Sequence, residues 1–189
     1  MKRKRIMYVH GYNSDSNSSM SAALKSALYE VLGDGFDYYS PTIPNCPVEG
    51  IKLIERFVVD NDIEIIIGSS LGGFKLLHSK LGHNVKKIVI NPLIDIGTIL
   101  IKIVDVDTFE KCTVIGKNSI ERDENLIGVF SKNDKVINST QSVVLFQEFC
   151  SLTNPFAIHT IEDVHSPKSS AGVIAQIIVD AFLKEKREQ

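Results

Sequence analysis

Short runs rich in isoleucine and valine alternate with longer segments of helical spacing, and this alternation restricts the fold more than any other feature. The candidate strands are Ile6–Val9, Phe36–Tyr39, Ile63–Ile67, Lys86–Ile90, Leu126–Phe130 and Phe156–Ile161. The candidate helices are Met20–Leu32, Val48–Asp60, Ser70–Leu81, Asn138–Cys150 and Ser169–Lys186. Strands that are almost continuously apolar are typical of a sheet covered on both faces. The pattern therefore predicts an α/β fold, a six-stranded and mainly parallel sheet with helices on both faces.

The expected strand order is 2-1-3-4-5-6, in which the order reverses between the first and third strands.

The chain has 189 residues, of which 43% are hydrophobic. This is enough for one large core, so we expect a single domain over residues 1–189. The connection Leu93–Asn125 is unusually long and mixes apolar with charged residues. It is predicted to be a small lid insertion, formed by a helix and a short extra strand.

Composition and charge exclude several classes of function. A formal net charge of -2 argues against a nucleic-acid partner or an anionic membrane surface. No apolar run is long enough for a membrane span, and none follows the basic start Lys2–Arg5 as in a signal peptide. The three cysteines are widely spaced, which indicates reduced thiols rather than disulfides or a zinc cluster: Cys46, Cys112 and Cys150. We therefore expect a cytoplasmic protein without metal or cofactor, and the oligomeric state stays open.

The segment Gly68–Gly73 reads G-x-S-x-G and lies between a candidate strand and a candidate helix. This context is the one that a nucleophile elbow requires, with Ser70 at the tip of a tight turn. Only small side chains fit two residues before and after such a serine, and Gly68 and Gly72 meet this need. A Walker loop and a dinucleotide-binding loop are excluded by their spelling. A simple glycine turn remains the alternative.

A serine nucleophile needs a base, and the base needs an orienting acid. Among the five histidines, His165 is the candidate base, because it follows the last strand at the expected edge of the sheet. The other four are less suitable by position: His10, His78, His83 and His159. Asp134, after the fifth strand, is the candidate acid in the chain order Ser, Asp, His. Asp95, after the fourth strand, is the rival acid.

The backbone N–H groups of Leu71 and Tyr12 are the expected oxyanion donors. Gly11 allows the loop after the first strand to approach the serine closely. His10 is expected to brace this loop. Substrate-binding positions are predicted in the same loops: His10, Gly11, Asn13 and Asn91.

Five motifs in this order resemble the YqiA-like esterases, small bacterial alpha/beta-hydrolases with minimal lids. They are Tyr8-Val9-His10-Gly11-Tyr12-Asn13-Ser14, Ile66-Ile67-Gly68-Ser69-Ser70-Leu71-Gly72-Gly73, Val89-Ile90-Asn91-Pro92, Asp134-Lys135-Val136 and Val164-His165-Ser166. The resemblance implies a Ser-Asp-His triad, formed here by Ser70, Asp134 and His165, that acts on carboxylic or thioester acyl groups without a metal. The sequence departs from the family pattern in two places, at Asn133 and at Ser166-Pro167, and the lid segment matches poorly.

The function predicted from these features is that of a serine hydrolase that cleaves small-molecule carboxylic esters through an acyl-enzyme. One alternative is an acyl-CoA thioesterase with the same triad, in which Ile99 to Val104 line an acyl tunnel and Lys102 and Lys117 lie at its rim. The other alternative is a non-catalytic binding protein that retains the hydrolase fold. The presence of all three triad residues in order favours the enzyme.

Overall fold

A six-stranded parallel sheet forms the centre of the protein. The computed structural model describes residues 3–94, 104–116, 123–147 and 158–183. The strands are β1 Lys4–Val9, β2 Phe36–Tyr39, β3 Ile65–Ser69, β4 Lys86–Ile90, β5 Leu126–Ser131 and β6 Ile158–Ile161. Every neighbouring pair is parallel, and the order is β2-β1-β3-β4-β5-β6. The predicted fold class and strand order are confirmed.

Helices cover both faces of this sheet. They are α1 Ser19–Leu32, α2 Pro47–Asp60, α3 Leu71–Leu77, α4 Val106–Gly116, α5 Ser139–Gln147 and α6 Ala171–Ile178. A 3-10 turn at Lys168–Ser170 precedes α6, and a π-helical turn at Val179–Leu183 continues it. None of the helices in the described ranges is both long and apolar enough to pass through a bilayer.

The alternation of side chains along the strands divides the core into two layers. Ile6 and Tyr8 of β1 point to the layer formed with α1 and α6. Met7 and Val9 point to the opposite layer, which is formed with α2, α3 and α5. Because both faces of each central strand are buried, a near-continuous apolar run is the sequence that such a strand needs.

Some element boundaries differ from the prediction. The third strand begins at Ile65, because the Ile63 N–H is bonded to the Val58 carbonyl and closes the end of α2. The helix after the elbow ends at Leu77, where the Ser79 hydroxyl donates to the Lys75 carbonyl. This side-chain bond satisfies one of the carbonyls left free at a helix end.

The predicted lid segment is only partly described. Its described residues contain α4, and Asp123 occupies a single bridge position, whereas a full extra strand is absent from them. The predicted helix is thus confirmed. Ile99 to Ile103 and Lys117 lie outside the described residues, so the predicted tunnel and basic rim are not described.

Strand order places two loops side by side at the carboxyl edge of the sheet. Val9 of β1 pairs with Gly68 of β3, so the loops that leave these two strands begin next to each other. This edge is the switch point at which ligands bind in open parallel sheets.

Candidate active site

Ser70 lies in a tight turn between β3 and α3. Its backbone has φ 52° and ψ -120°, a left-handed conformation that is uncommon for a residue other than glycine. A Cβ atom built on Gly68 would lie 2.7 Å from the Gly72 carbonyl oxygen. One built on Gly72 would lie 2.3 Å from the Val9 carbonyl oxygen. The predicted crowding around this serine is confirmed, and only glycine fits at either flanking position.

The loop after β1 approaches the serine closely. A Cβ atom built on Gly11 would lie 3.2 Å from Cβ of Ser70. The short contact confirms the close approach that Gly11 was predicted to permit. The Ser70 N–H is bonded in turn to the Ile90 carbonyl at the end of β4, at 3.0 Å. The serine is therefore held between the ends of three neighbouring strands.

Three side chains from three separate loops form a chain of hydrogen bonds. His165 Nε2 lies 3.0 Å from Ser70 Oγ. His165 Nδ1 lies 2.7 Å from Asp134 Oδ2. The structure thus brings together the three residues predicted for catalysis, although they are up to 95 positions apart in the chain. This arrangement allows a proton to pass from serine to imidazole while a carboxylate faces the other ring nitrogen.

Asp134 is held in place from both of its oxygens. Its side chain is 1% exposed. Oδ1 accepts hydrogen bonds from the N–H groups of Val136 and Ile137, at 2.7 and 2.9 Å. Burial acts to raise the pKa of this carboxyl, but the bonds from His165 and from the two N–H groups outweigh it and leave the pKa lowered. The group is therefore a carboxylate that can balance a positive imidazolium.

Leu71, a predicted oxyanion donor, is the first residue of α3, so its N–H has no carbonyl partner within the helix. The Tyr12 side chain has a second function besides its predicted backbone one. Its hydroxyl donates to Asp105 Oδ2 at 2.7 Å and accepts from the Asp105 N–H at 3.1 Å. Asp105 also accepts the Thr108 N–H at 2.8 Å and so caps α4. The loop that carries Tyr12 is thereby joined to α4.

His10 and Asn91, two of the predicted substrate-binding residues, are both buried. His10 is 0% exposed, its Nδ1 donates to the Gly11 carbonyl at 2.9 Å, and its Nε2 accepts the Ile43 N–H at 2.9 Å. The predicted bracing role fits this geometry. Asn91 is 2% exposed, and its side-chain bonds are to other parts of the protein. Asn13 is exposed and forms reciprocal bonds with Asn45.

Two acidic residues outside the predicted triad shape the site. Asp105 bonds Tyr12, and Asp163 accepts the N–H groups of Val164 and Ser170 and so shapes the loop of His165. The spacing of Asp105 and Thr108 is an N-cap signal that was available in the sequence. The bond to Tyr12 joins residues 93 positions apart, and no local signal shows it. Asp95, the rival acid, lies outside the described residues.

A separate apolar cluster lies beside α3 and under α4. We call it the cap cluster, and its buried members are Leu71, Phe74, Leu93, Val104, Cys112 and Ile137. Three partly buried residues pack against it: Tyr12, Phe109 and Ile115. The described part of the lid segment therefore packs next to the serine.

Within the described ranges, no group of three or more histidine, cysteine or acidic side chains is arranged to hold a metal ion.

Comparison with known families bears on this site. Residues 5–170 match the model of an uncharacterised protein family, UPF0227. The chain belongs to this family. Membership in UPF0227, together with the fold, confirms the resemblance to YqiA-like members of the alpha/beta-hydrolase superfamily.

Solved structures share the whole fold at low sequence identity. Est1E from Butyrivibrio proteoclasticus has a TM-score of 0.70 at 15% identity, over 97% of this chain and 88% of that one. The alpha/beta hydrolase domain-containing protein 10 from mouse has a TM-score of 0.67 at 15% identity, over 95% and 90%. The esterase Pf2001 from Pyrococcus furiosus has a TM-score of 0.63 at 12% identity, over 95% and 81%. These likenesses establish the alpha/beta-hydrolase fold for this UPF0227 protein.

Proposed function

We propose that this UPF0227 protein is a serine hydrolase that cleaves carboxylic esters of small molecules. The observation that carries the proposal is the placement of His165, whose two ring nitrogens lie at hydrogen-bond distance from Ser70 and Asp134. The esterases among the solved structures of the same fold support this class of substrate.

The proposed reaction begins when His165 Nε2 takes the proton of Ser70 and Oγ attacks the ester carbonyl. The carbonyl oxygen becomes an oxyanion and accepts hydrogen bonds from the N–H groups of Leu71 and Tyr12. His165 then gives its proton to the leaving alkoxide, so that the alcohol departs and an acyl-serine remains. Water, deprotonated by the same nitrogen, attacks the acyl-serine. The bond between the acyl carbon and Ser70 Oγ then breaks as His165 returns the proton to Oγ, which releases the carboxylic acid and restores the serine. Throughout, Asp134 orients the ring and balances its positive charge.

The geometry of the elbow supports the first step. A serine held at positive φ on a turn that glycines crowd presents its hydroxyl above the sheet. Such backbone strain costs on the order of 1–3 kcal/mol, and it is characteristic of functional sites. A protein that only retained the fold would not need this strained residue paired with a base.

The decisive experiment compares Ser70→Ala with the wild type. Ester hydrolysis should fall by about four to six orders of magnitude in kcat, while the unfolding transition stays close to that of the wild type. A fluorophosphonate probe should label the wild type and spare Ser70→Ala. Ser26→Ala, an exposed serine on α1, is the control and should keep both activity and labelling. Turnover near that of the wild type in Ser70→Ala would exclude the proposed nucleophile.

The same assay separates the alternatives. In the acyl-CoA thioesterase alternative, Lys102 and Lys117 form the rim of the acyl tunnel, and both lie outside the described residues. Rates measured on an ester and a thioester with the same acyl chain test this alternative directly. A non-catalytic binding protein should neither turn over esters nor react with the probe. The cytoplasmic location stays a prediction.

A further inference from the structure

Asn91 is a buried polar residue that the proposed chemistry leaves without a function. It follows β4 directly and has φ 42°, in the left-handed region. Its side chain is 2% exposed. A buried amide is retained at such a position only if its hydrogen bonds are made, because an unmade one costs about 1–3 kcal/mol.

The bonds of Asn91 reach two other loops of the site. Its Oδ1 accepts the Ser131 N–H at 2.7 Å, and its Nδ2 donates to Ser131 Oγ at 2.9 Å. The same Nδ2 donates to the backbone carbonyl of His165 at 2.9 Å, with a longer contact of 3.4 Å to that of Val164. One amide therefore joins the end of β5 to the backbone of the proposed base.

The neighbouring residue completes this link to the serine. The Ile90 carbonyl accepts the Ser70 N–H at 3.0 Å. Ser131 ends β5, three residues before Asp134, whose N–H is bonded to the Ser131 carbonyl at 3.3 Å. The end of β4 thus contacts the backbone of the nucleophile, the strand that leads to the acid, and the loop of the base.

We propose that Asn91 is a positioning residue that sets the place of His165 relative to Ser70 and Asp134. The proposal rests on the proposed function of the triad. Asn91 does not touch the reacting atoms, and it acts through the backbone of His165. Since a displacement of about 1 Å in a reacting group can cost about 100-fold in rate, loss of this amide should lower kcat rather than weaken substrate binding.

The positive φ of Asn91 determines which variants are useful. Glycine adopts this conformation without strain, and aspartate tolerates it almost as well as asparagine. Asn91→Gly removes the whole side chain. Asn91→Asp keeps the size of the side chain and the acceptor for the Ser131 N–H, but it loses the donor to the His165 carbonyl. Both variants leave the backbone conformation accessible.

The test measures kcat and KM for a short-chain ester, the rate of fluorophosphonate labelling, and the low-field proton resonance of the hydrogen bond between His165 and Asp134. Both variants should show a fall in kcat and in labelling rate of about 10- to 100-fold, with KM within about threefold of wild type. The low-field resonance should shift or disappear. Asp62→Gly is the matched control, because Asp62 has φ 45°, is 75% exposed and precedes the amino end of β3, whereas Ser70 follows its carboxyl end.

Unchanged kcat, labelling rate and low-field resonance in a folded Asn91 variant would overturn the positioning role. If Asn91→Gly fails to fold, Asn91→Asp decides the question by the same measurements. A fall that appears only in KM would also overturn it, because the residue would then contact substrate. Failure of the proposed function has a different signature, since the wild type itself would neither react with the probe nor depend on Ser70.

Discussion

At the scale of single residues, the site depends on contacts that a change of one atom would break. Asp134 shows this most clearly. Its Oδ1 accepts two backbone N–H groups, and its Oδ2 faces His165 Nδ1. The orientation of the carboxylate is therefore set by its own turn, independently of the histidine.

Asp134→Asn should lower kcat by about 10⁴-fold, less than Ser70→Ala. The turn would keep the amide oxygen toward the N–H groups of Val136 and Ile137, which leaves the NH₂ group facing His165. Nδ1 would then have to accept a hydrogen bond, so that the proton moves to Nε2 and the ring can no longer take the proton of Ser70. Steady-state kinetics on a short-chain ester measure the effect.

The control for this prediction is Asp107→Asn, an exposed carboxylate on α4, which should leave kcat unchanged. A mild effect of Asp134→Asn would indicate that another carboxylate, such as that of Asp95, orients the base.

At the scale of elements, the loop after β1 and α4 form one connected unit. The Tyr12 hydroxyl is bonded to Asp105, which caps α4, and the Tyr12 ring packs on the cap cluster. The hydrogen bonds from the Thr108 N–H and from the Tyr12 hydroxyl lower the pKa of the Asp105 carboxyl, so it is charged near neutral pH. We propose that α4 forms one wall of the site that holds the acyl chain of the ester. The reason is that α4 and α3 share the cap cluster, which lies next to Ser70.

Tyr12→Phe should reduce kcat/KM for long acyl chains by several-fold and for acetyl esters by less than about twofold. The backbone N–H of residue 12 and the ring remain, and only the bond to α4 is lost. Each methylene excluded from an apolar site costs up to about 0.8 kcal/mol, so the effect should grow with chain length. An ester series from acetyl to palmitoyl measures it.

Val114→Ala is the control on the same helix, because Val114 is 67% exposed, and it should leave the chain-length profile unchanged. A loss of equal size at all chain lengths in Tyr12→Phe would show that the bond supports the chemistry or the fold, and α4 would not be the acyl wall.

At the scale of the whole molecule, the free energy of unfolding is reduced by the cost of removing a lysine ammonium group from water. Lys75 lies on α3, is 0% exposed, and donates from Nζ to the Pro44 carbonyl at 2.6 Å. Gly50 lies on α2, and a Cβ atom built on it would lie 2.9 Å from the Lys75 side chain. The absence of a side chain at Gly50 therefore leaves space for the lysine. Burial lowers the pKa of Lys75 from 10.5 to about 8. The link between α3 and the loop after β2 therefore uses a cation that would be better solvated in the unfolded chain.

Because the pKa of Lys75 is lower in the folded protein, the unfolded chain binds more protons between about pH 8 and pH 10.5. The contribution of this group to the free energy of unfolding should rise with pH in that window, by at most about 1.4 kcal/mol per pH unit. Below pH 8 both states hold the proton, and the contribution is constant. The difference in unfolding free energy between the wild type and Lys75→Met should therefore change in favour of the wild type from pH 8 to pH 10.5.

Denaturant unfolding at a series of pH values measures this difference. Lys25→Met, at an exposed position on α1, is the control for the loss of a lysine from the surface. A flat difference for Lys75→Met would contradict the lowered pKa.

The sequence by itself determined the sheet, its strand order and the need for glycine around Ser70. These features depend on local sterics and on the period of apolar residues, both of which are present in short segments of the chain. It also singled out Ser70, Asp134 and His165, because each follows a predicted strand whose carboxyl end lies at the same edge. Their catalytic role remains a proposal that the kinetic tests address.

Only the tertiary structure decided the functions of residues whose partners are distant in the chain. The sequence predicts Asn91 as a substrate-binding residue, whereas its burial and its bond to the His165 carbonyl, 74 positions away, support the proposed positioning role. The burial of Lys75 and the bond between Tyr12 and Asp105 were likewise not predicted from the sequence. The physical reason is that the energy of a polar group depends on whether water or a protein partner surrounds it, and packing between distant segments decides which of the two it meets.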